Sequence, residues 1–108
     1  MTKPHDRYTY RLTWSEQDQT HIGLCAEFPS LSWLAASPEK ALIGIRKLVK
    51  GCLNDMAKNK EHAPEPIALK NYSGKFMVRI APEAHRMLTI QAAESGISLN
   101  RLVSSKLN

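Results

Sequence analysis

The sequence predicts an α+β fold in two parts: a small antiparallel sheet packed on a long helix, then a shorter β-α-α unit. Three observations predict it. Apolar side chains alternate with period two in the first third of the chain, a three-four repeat follows, and after a proline-rich break the order of alternation then helix returns in shorter form. The chain has 108 residues, 43% of them hydrophobic and 23% charged, which fits one ordinary domain or two small ones and excludes a low-complexity chain.

Tyr8, Tyr10, Leu12 and Trp14 alternate with Thr9, Arg11 and Thr13, the pattern of a strand over 8–14 with one buried face. After the polar break at 15–19, Ile22, Leu24, Ala26 and Phe28 fall on one side, read as the core side. His21, Gly23, Cys25 and Glu27 fall on the other. The two runs read as an antiparallel hairpin that Pro29 ends. Ser30-Leu-Ser-Trp-Leu-Ala35 is short and apolar, a third strand. Ser37-Pro38-Glu39 supplies an N-cap oxygen, a proline at the first helical turn and a carboxylate at the positive end of the dipole. Leu42, Ile45, Leu48, Val49, Cys52, Leu53 and Met56 then recur at three and four, with Arg46, Lys47, Lys50, Asn54 and Lys58 opposite. Ala63-Pro-Glu-Pro66 cannot continue a helix. A linker therefore begins near residue 60, with one short strand near Ile67 to Leu69, and the first part, 1–72, ends there.

In the second part, 73–108, Lys75, Met77 and Arg79 alternate with Phe76, Val78 and Ile80, a strand with a polar and an apolar face. Pro82 opens a helix that Ser95-Gly96 stops, and Ser98 caps another carrying Leu99, Leu102, Val103 and Leu107. So small a unit buries little apolar surface, and its lone strand has two unpaired edges. Pairing with the same strand of a second copy satisfies them, which predicts a homodimer or a higher even-numbered oligomer. The charge balance favours a polyanionic partner. The chain is +5 overall, and 73–108 holds five Lys/Arg against two Asp/Glu, whereas the longer first part holds ten against eight.

The words Lys75-Phe-Met-Val-Arg-Ile80, Pro82-Glu-Ala-His85 and Gly96-Ile-Ser-Leu-Asn100 resemble, in order and spacing, a ribbon-helix-helix domain. That resemblance implies two intertwined chains whose paired strands enter the DNA major groove. Lys75, Met77 and Arg79 then stand at the base-reading positions. Lysine and arginine donate to guanine, and Met77 offers only apolar contact, for instance to a thymine methyl. Ser98, Leu99 and Asn100 stand at the phosphate-binding helix start.

The first part resembles the HicB antitoxin family through Phe28-Pro-Ser-Leu31, Ser37-Pro-Glu-Lys-Ala-Leu42 and Pro64-Glu-Pro66. The family implies a partial RNase H-like fold that binds a HicA-type toxin, a small ribonuclease acting on messenger RNA, and a DNA-binding end that represses its own operon. Ser32-Trp-Leu-Ala-Ala36 stands where the family has a glycine-rich stretch, so this part of the toxin contact departs from the pattern. Candidate toxin contacts are Arg11, Glu27 and the hairpin acids Glu16 and Asp18.

An RNase H-like outline also raises an alternative, an RNA-binding or metal-dependent nuclease domain using the basic helix face Arg46, Lys47, Lys50. Such a nuclease needs converging carboxylates. Asp6, Glu16, Asp18 and Glu27 are scattered, and His21 and Cys25, four apart on a strand, stand ~13 Å from each other. The expected protein is therefore not an enzyme, with no cofactor and no metal site. No apolar run reaches the ~20 residues a bilayer span needs and the N-terminus lacks a signal-peptide stretch, so no membrane association and a cytoplasmic location are expected.

Overall fold

The first alternation closes as a hairpin. In the computed structural model, which describes residues 3–108, β1 (Tyr10–Ser15) pairs antiparallel with β2 (Thr20–Cys25), and β2 pairs antiparallel with β3 (Ser32–Ala35). The sheet order is β1-β2-β3. At the hairpin turn Gln19 has φ 50°, the left-handed conformation that closes so tight a loop. Ser37 caps α1 (Pro38–Lys58), its hydroxyl accepting from the Lys40 N–H at 3.2 Å. Ala41, Ile45 and Val49 recur every fourth residue and are completely buried against the sheet. Fully burying Ile45 and Val49 contributes about 1.5–3 kcal/mol each. Tyr8 and Phe28 flank them, ring centroids 5.4 Å apart, with Leu42, Leu48, Cys52, Leu53 and Met56 half-buried around this core.

The β2 faces are the reverse of the expected ones. Gly23 and Cys25 are buried on the helix side, and a Cβ on Gly23 would lie 2.5 Å from the Ala41 carbonyl oxygen and 2.8 Å from Ile45 Cγ2. The absent side chain is what lets α1 approach the central strand. The register places Leu12 and Trp33 on either side of Gly23, on that same face. Ile22 and Leu24 instead line the open face, with Arg11, Thr13 and Leu34. Phe28 still reaches the core because the strand stops at Cys25, where the Phe28 N–H turns back to the Cys25 carbonyl at 3.1 Å. Alternation therefore does not extend to it, and Ala26 is exposed.

Two 3-10 turns complete this unit. One, at Pro4–Arg7, carries the buried His5; the other, at Ile67–Leu69, stands where a short strand is expected. It is a turn because the Leu69 N–H bonds the Pro66 carbonyl (3.0 Å) instead of a neighbouring strand.

The chain divides into two compact units between Tyr72 and Ser73. In the second, Ser73–Asn108, α2 (Pro82–Ser95) ends at Gly96, whose φ of 68° allows the Ile97 N–H to reach the Ala92 carbonyl at 3.1 Å. Ser98 caps α3 (Leu99–Leu107). Residues 75–80 carry no strand hydrogen bonds in the single chain, so the expected strand is present only as an unpaired segment. Among the described residues, no helix is long and apolar enough to cross a membrane.

Candidate functional site

The unpaired segment has two unlike faces, and neither is covered. Phe76 is 77% exposed, Val78 63% and Ile80 48%, so the apolar parity meets water as freely as Lys75, Met77 and Arg79 do. Only Ala92 and Leu102 are buried in the whole second unit. A cleft of about 380 Å³ runs between the segment and α3, with Phe76 and Val78 on one wall, Val103 and Leu107 on the other, and Lys75 and Asn100 at its edge. Its lining is mixed, with Lys75, Asn100 and Ser104 beside the apolar side chains. At the start of α3, Ser98 Oγ accepts from the Arg101 N–H at 3.1 Å, and the first helical bond runs from the Leu102 N–H to the Ser98 carbonyl at 3.0 Å. The Ser98 hydroxyl oxygen is thus committed to its own cap. The Leu99 and Asn100 N–H groups precede that first bond and have no intrahelical acceptor.

The candidate contacts of the first unit are not brought together. Arg11 is exposed on the open sheet face, beside a hollow of about 290 Å³ lined also by Thr9, Leu24 and Pro29. Glu16 accepts from Trp14 Nε1 at 2.7 Å and Gln19 Nε2 at 3.0 Å, and these bonds, Trp14 first, hold its carboxyl below the usual range. Asp18 Oδ2 accepts from the Ser15 hydroxyl at 3.2 Å. Both acids therefore brace the hairpin. Among the described residues no group of three or more His, Cys, Asp or Glu could hold a metal ion. The basic helix face is also reduced: Arg46 pairs with Asp6 and lies 5.9 Å from the Tyr10 ring centroid. Sequence reading missed that pair because its members stand forty positions apart.

Glu27 ties two parts of the unit together. Its carboxylate accepts from the Thr9 N–H at 2.9 Å, the Thr9 hydroxyl at 3.1 Å and the Ile67 N–H at 2.9 Å, joining the start of β1 to the segment after α1. Burial pushes its pKa up, but the Ile67 and Thr9 bonds outweigh this and hold it below the usual carboxylate range. A lowered carboxyl pKa contributes stability that is present above the unfolded value and lost as pH falls through the folded one. Glu27→Ala is expected to cost about 1.5 kcal/mol at neutral pH, the low end for charged hydrogen bonds because the site is part-exposed. In urea titrations the difference from wild type should shrink as pH falls below the usual carboxylate range. A difference that stays constant through that range would contradict this account.

A family model described as the HicB family matches residues 58–107. The match runs from Lys58, the last residue of α1, through the linker and almost all of the second unit. It includes Pro64-Glu-Pro66 but not Phe28-Pro-Ser-Leu31 or Ser37–Leu42, the sheet-side words of the resemblance. No curated protein and no solved structure gives a significant match. Over those residues the chain is similar to the HicB family.

Proposed function

We propose that this chain, taken as a HicB-type protein, is an antitoxin of a type II toxin–antitoxin pair. Its first unit binds and occludes a HicA-type mRNA-cleaving toxin, and its second dimerises as a ribbon-helix-helix domain that represses the operon. The observation that carries the reading is the uncovered segment at 75–80, with apolar and cationic parities, set before two helices inside the matched range. Two such segments laid antiparallel would satisfy each other's N–H and C=O groups. They would turn Phe76, Val78 and Ile80 onto the helices of the pair. The opposite parity then presents Lys75, Met77 and Arg79 twice on one ribbon. The free Leu99 and Asn100 N–H groups hold phosphates on either side. Neutralisation in this scheme is by covering the toxin, with no chemistry in the antitoxin.

The test is binding of purified protein to the DNA upstream of its own gene. Wild type is expected to prefer that DNA over random sequence, and Arg79→Ala to weaken specific binding by about 1–3 kcal/mol, the worth of a bidentate base contact. The variant should keep the oligomeric state of wild type, since Arg79 lies on the parity away from the helices. A wild-type protein with no sequence preference would remove the repressor part of the reading. Magnesium-dependent RNA cleavage by the purified chain, lost in an Asp18→Asn, Glu27→Gln variant, would replace the whole of it with the nuclease alternative.

A further inference from the structure

The stretch after α1 reads in sequence as a linker, yet part of it is fastened to the first unit at two points. The Tyr8 hydroxyl donates to the Pro64 carbonyl at 2.6 Å, and the Ile67 N–H donates to Glu27 at 2.9 Å. Pro64 and Pro66 are half-buried, and Tyr8 is a core residue. Between and beyond those points the Ile67–Leu69 turn closes on itself through the Lys70 N–H and the Ile67 carbonyl at 3.2 Å. Neither anchor is needed to finish the core: one is a phenol edge, the other a carboxylate at the end of β2.

We propose that Tyr8 and Glu27 form a two-point latch that holds 64–69 as a strap on the first unit and so sets how much free chain leads to the second. With the latch closed, the free chain is 70–74, which spans at most ~18 Å when extended. Opening it frees the chain from about residue 62, and the limit rises to ~45 Å. The glycine at the far end, Gly74 with φ 83° and no atoms near its missing side chain, already provides a pivot. The latch therefore selects between a short tether and a long one while β1–β3 and α1 stay folded. The proposal needs neither a toxin nor DNA, so it stands or falls separately from the antitoxin reading.

Hydrogen–deuterium exchange and small-angle X-ray scattering on the full-length chain test it, comparing wild type with Tyr8→Phe and with Tyr8→Phe, Glu27→Gln. Wild type should protect the Ile67 amide relative to amides at 71–74. The double variant should speed exchange at 64–69 by at least about tenfold while β1–β3 and α1 keep their protection, and should enlarge the maximum dimension in solution. Tyr8→Phe alone keeps the ring in the core, so it answers the question even if the double variant loosens the sheet; about fivefold faster exchange across the strap is expected of it. Wild-type exchange as fast at Ile67 as at 71–74 would overturn the latch. Faster exchange in the variants with unchanged solution dimensions would overturn its control of reach.

Discussion

Replacing Val78 with Asp is expected to leave the chain monomeric and to abolish operator binding. Val78 is 63% exposed in the single chain, between Phe76 at 77% and Ile80 at 48%. The rest of the second unit offers only Ala92 and Leu102 as buried apolar residues. Covering the three side chains would contribute about 1.5–3 kcal/mol each, twice over in a symmetric pair, and much of this goes to ordering two chains. A carboxylate at the middle of that stripe must be buried charged or protonated, at a cost of several kcal/mol per copy. Light scattering should report the monomer, and the wild-type melting temperature should rise with protein concentration while that of the variant does not. Met77→Asp, one residue away on the opposite parity, should dimerise normally and fail only in DNA binding. Identical behaviour of the two variants would contradict a ribbon.

Gly23→Val is expected to unfold the first unit or destabilise it by about 3 kcal/mol or more, through overpacking that the backbone cannot relieve. At 2.5 Å from the Ala41 carbonyl, a Cβ would force α1 off the central strand. A loss of that size lowers the melting temperature by roughly 12–24 °C in a domain this small. Thermal unfolding followed by circular dichroism checks it. Two other glycines are internal controls. A Cβ on Gly44 would overlap the Trp33 indole, but Trp33 is 43% exposed and has room to swing away, so Gly44→Ala should cost less than Gly23→Val. Gly51, on the exposed side of α1, has nothing within 4 Å, and Gly51→Ala should stabilise the helix by about 0.5–1 kcal/mol. A Gly23→Val protein as stable as wild type would mean that the helix does not pack there.

The elements that announced themselves were those with local causes. The Ser37 cap, the proline starts of α1 and α2 and the Gly96 stop each act within one turn, and the helices begin and end beside them. The inward face of β2 was not legible, because hydropathy selects Ile22 and Leu24 over Gly23. Packing here is decided by how near a helix backbone must come, a property of the partner element. The bonds that Glu27 makes inside the unit were hidden for a similar reason: its donors Thr9 and Ile67 come from opposite ends of the unit. The two parities of 75–80 were visible in sequence, but the single chain carries no pairing for them.

Both tryptophans, Trp14 and Trp33, lie on the helix-facing side of the sheet, one edge-on to His21 at 5.0 Å and the other against Gly44. The second unit has none. Indole fluorescence in this protein is therefore a spectroscopic probe of one unit alone, silent to melting of the other. Ellipticity at helix wavelengths senses both. Recorded together on one sample, the two signals resolve whether the halves unfold in one step or two without cutting the chain.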